Sequence, residues 1–242
     1  SRLKQILFSV ASKLGDITAR RRLEIGENDF IAKVTNFFAQ LLGFRALRKK
    51  LGVLNVDNAL SGAAPIAPEI LRFFMSLGVP IYEGYGMTEN SAIATGNRPG
   101  KVKLGTVGVP QPGVELKLAD DGEILIKHPG VFKGYFKNEE ATKEVMDSDG
   151  WLYTGDVGEF DGEFLKIIDR KKDIIITKGG KNVSPSEIEN NVKTSPYIRE
   201  AIVIGDDRKF ISVLIGIEFD IVANWALRKN IPYTTYRNLS EN

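Results

Sequence analysis

The chain has 242 residues, of which 43% are hydrophobic and 26% are charged, a globular composition sufficient for one large domain or two smaller ones. Lys and Arg number 33 against 31 Asp and Glu, so no global basic field indicates a nucleic-acid partner. Because there is no cysteine and only one histidine, His128, disulfides, thiolate nucleophiles and Cys/His zinc sites are excluded, and a Ser-His-Asp triad would depend on His128 alone.

Hydrophobic runs in the sequence are short. None approaches the roughly 18 to 20 apolar residues that span a bilayer, and charged residues interrupt the first one, which excludes a signal peptide. We therefore expect a cytoplasmic protein without a transmembrane segment; peripheral membrane contact through the opening helices stays open as an alternative. Because the chain starts at Ser1 and runs directly into a helical pattern, we expect a portion of a longer protein.

Two amphipathic helices open the chain. Apolar residues recur at helical spacing over 3–17 and again over 30–42. The aromatic side chains at Phe30, Phe37 and Phe38 fall on one face of the second helix, where core packing is the expected role.

A strand-helix-strand unit follows. The segment VLNVDNAL, 53–60, is predicted to be a strand, the next helix has Pro68 in its first turn and Gly78 after its end, and VPIYE, 79–83, is predicted to be a second strand. Such a unit joins parallel strands. The loops SGAAP and GYGMTE then lie at the carboxyl ends of strands in one sheet, where open α/β sheets bind ligands.

Over 107–168 the sequence pattern changes to short segments in which apolar and polar residues alternate. VELKLADDGEILIK and DVGEFDGEFLKII each predict a hairpin with an Asp-Gly turn, and one short helix is predicted at 139–146. The charged connector DRKKD, 169–173, is interpreted as the boundary between two domains. The predicted domains are therefore 1–168, an α/β unit followed by a small β subdomain, and 174–242, an α+β domain.

The segment after the connector has its own pattern. IIIT and NV flank a tight turn at Lys178 to Lys181, and Ser184 with Glu187 forms a capping box with Pro185 at the first helical position. EAIVIG and FISVLIGIE predict a hairpin, and a helix carrying Trp225 follows. The last dozen residues show no clear element.

The stretch EGYGMTE carries groups suited to a nucleotide with its metal. Gly84 and Gly86 allow backbone to approach a ligand closely, Tyr85 offers a ring face to a heterocycle, Thr88 can donate to a phosphate oxygen, and Glu89 is a hard oxygen ligand for Mg²⁺. Taken alone, the same residues also suit a turn followed by a helix cap.

Asp156 in GWLYTGDVG and Arg170 in IIDRKKD are each ambiguous when taken singly. A strand-end aspartate often caps a turn, and an arginine often faces water. In combination, the carboxylate can accept two hydrogen bonds from a ribose diol and the guanidinium can hold the same sugar.

The ordered motifs SGAAP, EGYGMTE, GTVGVPQPGVE, GEILIKHPGVFKGYF, GWLYTGDVG and IIDRKKDIIITKGGKNVSPSEIE resemble the adenylate-forming superfamily of acyl-CoA synthetases, luciferases and peptide-synthetase adenylation domains. Within it the chain is most similar to long-chain fatty-acid CoA ligases. The resemblance implies the second half of the large adenylate-forming domain followed by a partial small α+β domain. It also implies a reaction in which a carboxylate is activated by ATP as acyl-adenylate and transferred to the thiol of CoA.

The resemblance also implies roles for individual residues. Tyr85 would stack on adenine, Thr88 would contact the α-phosphate, Glu89 would hold Mg²⁺, and Asp156 and Arg170 would hold the ribose. The adenine and acyl pocket would be lined by Gly62, Ala63, Ala64 and Pro65, with Gly84 and Gly86 in the facing loop.

Three further positions match the family pattern. Lys172 falls at its hinge, and Gly179 and Gly180 match the loop that lines the pantetheine tunnel. Two expected features are missing from the sequence: a phosphate loop before SGAAP and a late lysine that drives adenylation. Many relatives also have lysine where this chain has Ile176, although the long-chain branch often does not.

We therefore expect ATP or AMP, Mg²⁺ and coenzyme A as cofactors or substrates, with a fatty acid as the acyl donor. The expected enzyme is a long-chain fatty-acid CoA ligase, with the chain alone inactive in adenylation and prone to form homo-oligomers. Two alternatives stay open: a ligase for a short-chain or aromatic acid, and a non-catalytic relative that binds or self-associates.

Overall fold

A computed structural model describes residues 2–26 and 29–240 of the chain. These residues fold into two compact units. The first comprises Ser1–Thr154 and Gly158–Ile167, and the second comprises Gly155–Val157 and Ile168–Asn242. The three residues 155–157 therefore belong to the second unit, although their neighbours in sequence belong to the first.

Helices form the beginning of the first unit, as the apolar spacing predicts. A cluster of buried side chains holds them together: Ala11, Ala39, Phe44 and Leu77. Small residues at two of these positions allow close packing around the Phe44 ring. The helices are α1 (Arg2–Glu24), α2 (Phe30–Ala39), α3 (Arg45–Lys50) and α4 (Pro68–Ser76), with a π-helical stretch, Gln40–Phe44, before α3.

Asp29 ties α1 to the start of α2. Its carboxylate accepts the Ala32 amide at 2.8 Å, and the Arg21 guanidinium donates to both of its oxygens, at 2.6 and 2.8 Å. The Arg21 hydrogen bond, followed by the Ala32 amide, lowers the pKa of Asp29 to about 2. The N-cap of α2 is therefore a charged carboxylate, the form that best accepts the free amides of a helix start.

The first sheet contains the predicted parallel pair. β1 (Ala59–Ser61) pairs in parallel with β2 (Ile81–Tyr85), and the helix between them is α4. β3 (Thr95–Gly96) and β4 (Val109–Pro110) extend this sheet in the order β1-β2-β3-β4, each by antiparallel pairing.

The strand predicted at 53–60 is wrong over most of its length, because β1 begins only at Ala59. Arg48 supplies the reason. Its guanidinium donates to three backbone carbonyls in this segment, those of Val53, Leu54 and Val56, at 2.9 to 3.3 Å. Carbonyl groups satisfied by a side chain need no neighbouring strand, so the apolar run folds as turns.

A second four-stranded sheet has the order β5-β6-β7-β8. Its strands are β5 (Glu115–Leu118), β6 (Glu123–Lys127), β7 (Leu152–Asp161) and β8 (Phe164–Arg170), and α5 (Glu139–Val145) lies between β6 and β7 in sequence. The two predicted Asp-Gly turns are present, and Gly122 and Gly162 take φ values of 83° and 67° there. Ile124, Ile126 and Leu165 are fully buried in the core of this region.

In its described part, up to residue 240, the second unit contains two small antiparallel sheets and three helices. Ser184 caps the first helix, because its Oγ accepts the Glu187 amide at 3.1 Å, and the predicted hairpin between the following strands is present. The elements are β9 (Ile175–Ile176), β10 (Asn182–Val183), α6 (Pro185–Lys193), β11 (Ile198–Ile204), β12 (Ser212–Ile217), α7 (Phe219–Arg228) and α8 (Tyr236–Ser240).

The sequence analysis predicted no helix or strand in the last dozen residues. This prediction is wrong, because α8 lies there. Leu239 on α8 is buried in a cluster with Ala223 and Ala226 of α7. A helix of five residues shows too little periodicity to recognise, and its stability comes from this packing rather than from propensity.

The expectation of core packing for the aromatic side chains of α2 is wrong, because Phe30, Phe37 and Phe38 are 77%, 64% and 48% exposed. Leu3 on α1 is also exposed, at 65%. Within residues 2–26 and 29–240, each helix is too short or too polar to cross a membrane.

Candidate nucleotide site

The two motif loops of the first unit are in contact. β1 and β2 are parallel and in register at Ser61 and Glu83, so the loops that follow them leave the sheet side by side. A Cβ atom on Gly62 would lie 3.1 Å from the carbonyl oxygen of Gly84. The structure thus brings Gly62 against Gly84 at the carboxyl ends of two parallel strands, where α/β proteins bind ligands.

Both loops contain backbone in the left-handed region, which non-glycine residues rarely adopt. Ala63 has φ 66°, and the consecutive residues Ser91 and Ala92 have φ 59° and 77°. Such conformations cost free energy and persist where the surroundings impose them, most often at functional sites. They are invisible in the sequence, because serine and alanine give no sign of a left-handed backbone.

Thr88 and Glu89 lie in a single 3₁₀ turn, Thr88–Asn90, directly after β2. Asn90 anchors this turn in the protein interior, because it is fully buried and its Oδ1 accepts the Met87 amide at 3.0 Å. Thr88 is exposed and Glu89 is half-buried. The anchored turn therefore presents the hydroxyl and the carboxylate on its outer side.

Glu89 is held from a second segment of the first unit. The hydroxyl of Tyr135 donates to Glu89 Oε1 at 2.9 Å, and the amide of Phe132 donates to the Glu89 carbonyl at 2.7 Å. In the described residues no three acid or histidine side chains converge as a metal site. A single carboxylate fits Mg²⁺ nonetheless, because this ion commonly takes one protein carboxylate together with substrate phosphates and water.

Tyr85 contributes to the core as well as to the loop. Its side chain packs against the buried cluster that includes Ala94 and Ile124. The ring therefore has a fixed position next to Gly84, and its stacking on adenine stays a prediction.

Glu83 is a site residue that the sequence analysis missed. Its side chain is buried, its Oε2 has no hydrogen-bond partner in the described residues, and it lines a cavity of about 410 Å³ together with Gly84 and Arg98. Burial raises the pKa of Glu83 to about 7, and a hydrogen bond from the Ile66 amide partly opposes the rise. A buried, half-satisfied carboxyl at a cavity wall is a common mark of a ligand site.

Asp156 and Arg170 lie in the second unit and pair with each other. Arg170 Nε lies 3.3 Å from Asp156 Oδ1; the Asp156 side chain is 11% exposed and that of Arg170 is 61% exposed. The guanidinium therefore lies largely in solvent, whereas the carboxylate is buried and is carried by the strand β7.

Lys172 lies in a tight turn in the second unit. The Asp173 amide donates to the Arg170 carbonyl at 2.9 Å, and the Lys171 amide donates to the Gly155 carbonyl at 2.8 Å. Lys172 itself is exposed. The turn is compatible with a hinge, and the role of Lys172 as a hinge stays a prediction.

Asp169, next to this turn, is buried, and the sequence analysis missed its role. It accepts four hydrogen bonds: from the Arg170 amide, the Ser184 hydroxyl, and both the amide and the hydroxyl of Ser186, at 2.7 to 3.1 Å. This residue fastens the end of β8 to the start of α6.

Gly179 and Gly180 lie in an exposed turn between β9 and β10. The Gly180 amide donates to the Thr177 carbonyl at 2.8 Å, and the Lys178 amide donates to the Arg208 carbonyl at 2.9 Å. The predicted site residues thus form two groups. Those at 62–65 and 84–89 lie together in the first unit, and Asp156, Arg170, Lys172 and the Gly179-Gly180 turn belong to the second.

Comparison with known families gives two matches along the chain. A model described as "AMP-binding enzyme" matches residues 27–136, and a model described as "AMP-binding enzyme C-terminal domain" matches residues 172–226.

Among proteins of similar sequence is the long-chain fatty-acid CoA ligase FadD15 of Mycobacterium bovis. It is 44% identical over 190 residues, which cover 78% of this chain and 31% of the relative. Long-chain fatty-acid CoA ligase 6 of Mus musculus is 42% identical over 214 residues, 82% of this chain and 30% of the relative. The chain thus spans about a third of the length of the curated relatives it matches.

Solved structures of similar fold include o-succinylbenzoate CoA synthetase from Bacillus subtilis in complex with its acyl-adenylate intermediate. The TM-score is 0.64 at 28% identity, and the match covers 81% of this chain and 44% of that chain.

Proposed function

Because the chain belongs to the family of AMP-binding, adenylate-forming enzymes, we propose that the natural protein containing it is an ATP-dependent fatty-acid CoA ligase. The observation that supports the proposal is the contact between Gly62 and Gly84, which brings two family motifs together at the carboxyl ends of parallel strands. Relatives that are 44% and 42% identical bear the names of long-chain fatty-acid CoA ligases, which supports a fatty acid as the substrate.

In the first proposed step, an oxygen of the fatty-acid carboxylate attacks the α-phosphorus of ATP. The bond from that phosphorus to the bridging oxygen breaks, and pyrophosphate leaves. The 62–65 loop and Tyr85 would hold the adenine, and the Thr88 hydroxyl would donate to an α-phosphate oxygen. Glu89 would ligate Mg²⁺, which when bound neutralises phosphate charge. Asp156 and Arg170 would hold the ribose.

In the second proposed step, the sulfur of the CoA thiolate attacks the acyl carbon and AMP leaves. Lys172 would be the hinge between the arrangements for the two steps, and the Gly179-Gly180 turn would lie along the pantetheine arm. The exposed, unobstructed position of that turn is compatible with a passing ligand.

The proposal is tested by fatty-acid-dependent exchange of pyrophosphate into ATP in the natural protein. Replacement of Asp156 by Asn should weaken nucleotide binding by about 1 to 3 kcal/mol, the range for a lost hydrogen bond to a charged group, without loss of fold. Asp173→Asn, an exposed acid of the adjacent turn, is the matched control and should bind normally. No exchange with any acid, or unchanged ATP affinity in Asp156→Asn, would contradict the assignment.

The alternative acyl substrates are separated by a panel of acids. The structural relative from Bacillus subtilis is named for an aromatic acid, so an aromatic substrate is the second candidate. A long-chain ligase should give its highest kcat/KM with a long-chain fatty acid, and an aromatic or short-chain ligase should invert that order.

A further inference from the structure

We propose that Tyr135 is a positioning residue that holds Glu89 in the orientation in which it receives a divalent cation. The inference rests on the proposed function, because that function makes Glu89 the metal ligand. It adds a residue of the second sheet region to the site, from a part of the sequence where no chemical role was predicted.

The first support is the geometry of the carboxylate. Tyr135 donates to Glu89 Oε1 at 2.9 Å, and no described residue bonds to Oε2. One oxygen is therefore held while the other stays available for a cation. Carboxylate ligands of metal ions are commonly oriented in this way by a hydrogen bond from outside the coordination shell.

The second support is that Tyr135 is itself held. Its amide donates to Thr142 Oγ1 on α5 at 2.9 Å, and its ring meets Phe132 edge-on, with centroids 5.0 Å apart. A Cβ on Gly134 would lie 2.7 Å from the Thr142 side chain, so the backbone before Tyr135 approaches α5 closely. A tyrosine whose backbone and ring are both held can fix the carboxylate in turn.

Tyr135 also borders a cavity of about 420 Å³, together with the charged residues Lys133, Lys137, Lys143 and Glu139.

The segments also touch at a point that does not involve the carboxylate, which supplies a control. Ser91 Oγ donates to the Gly130 carbonyl at 2.6 Å. If Tyr135 only braces the two segments, Ser91→Ala should have the same effect as Tyr135→Phe. If it orients Glu89, only Tyr135→Phe should alter cation binding.

The experiment measures Mn²⁺ binding by electron paramagnetic resonance in the natural protein saturated with ATP. Tyr135→Phe keeps the ring contact and removes the hydroxyl, and it should weaken Mn²⁺ binding by about tenfold, the low end for loss of such a partner. Ser91→Ala should bind Mn²⁺ as the unmodified protein does. The double variant Tyr135→Phe/Glu89→Gln should equal Glu89→Gln alone, because Tyr135 acts through Glu89.

Unchanged Mn²⁺ affinity in Tyr135→Phe, or equal weakening by Ser91→Ala, would overturn the proposal.

Binding of AMP, which needs no metal, distinguishes failure of the proposed function from failure of the positioning role of Tyr135. If AMP binds equally to the unmodified protein and Tyr135→Phe while only Mn²⁺ affinity differs, the positioning role is supported. If AMP does not bind to the unmodified protein, the proposed function fails and this inference fails with it. If AMP and Mn²⁺ both bind normally to Tyr135→Phe, only the positioning role fails.

Discussion

Two glycine turns of similar appearance in the sequence, GYG at 84–86 and KGGK at 178–181, differ in why they contain glycine. A Cβ on Gly86 would lie 2.3 Å from the Ala92 carbonyl oxygen, and one on Gly84 would lie 3.2 Å from that of Thr95. At Gly179 and Gly180 no atom lies within 4 Å of the added carbon. Space requires glycine in the first turn, whereas only the backbone conformation at Gly180, φ 78°, favours it in the second.

This difference separates a preorganised site from an open one. In the first unit the loop is closed by backbone contacts and by buried side chains, so its polar groups have fixed positions before a ligand arrives. In the second unit the turn is exposed and has room on all sides. A turn of this kind can line the path of a ligand without being shaped by one.

The largest effect expected from breaking this difference is at Gly86. Gly86→Ala places a methyl group against backbone atoms that cannot rotate away, so we expect the free energy of unfolding of the first unit to fall by about 3 kcal/mol or more. The two tryptophans allow the units to be followed separately: Trp151 belongs to the first and Trp225 to the second. Urea unfolding in a Trp225→Phe background measures the effect, and a loss below about 1 kcal/mol would show that the loop yields.

A smaller effect is expected when the buried carboxyl of Glu83, on β2, titrates and changes the free energy of unfolding of the first unit. The pKa of Glu83 rises from 4.5 to about 7 in the folded state, so the folded protein binds the extra proton between these values. The free energy of unfolding should therefore fall as pH rises through this window and level off above it, by about 2 kcal/mol, since one pKa unit is worth about 1.4 kcal/mol and some water reaches the cavity.

Glu83→Gln is the matched variant for that measurement. It keeps the shape and removes the titration, so the pH slope of the first unit should disappear. The same slope in both proteins would assign the titration to another group.

The sequence predicted the fold well where patterns are long. Both opening helices, the parallel pair β1–β2, three hairpins and the cap at Ser184 agree with their patterns, because apolar periodicity and turn residues act locally. The strand predicted at 53–60 failed because the side chain of Arg48, five to eight positions earlier, satisfied its carbonyls. The helix at Tyr236–Ser240 was missed because one buried contact, at Leu239, stabilises it.

For the candidate site, the sequence predicted the motif loops but not the residues from other parts of the chain that contact them. The motif residues near Gly84 and Glu89 could be named from their chemistry and from family resemblance. Tyr135 and Glu83 could not, because their importance depends on distance and burial: one bonds across 46 positions of sequence, and the other is notable only because an oxygen is buried without a partner. The left-handed backbone at Ser91 and Ala92 likewise has no sequence signal.

The smallest effects are expected in the KGGK turn, where the two adjacent glycines differ from each other. Gly180→Ala forces a side chain into the left-handed region and should cost the second unit about 1 kcal/mol. In Gly179→Ala the added methyl group meets no neighbouring atom, and the backbone there is not left-handed. The free energy of unfolding of the second unit should therefore change by less than about 0.5 kcal/mol. Trp225 fluorescence in a Trp151→Phe background measures both.

If the turn lies along the pantetheine arm, Gly179→Ala should still slow thioester formation in the natural protein while ATP-pyrophosphate exchange is unchanged, because only a bound ligand brings atoms near the added methyl group. Equal rates of thioester formation in Gly179→Ala and the unmodified protein would leave this glycine as a turn residue only.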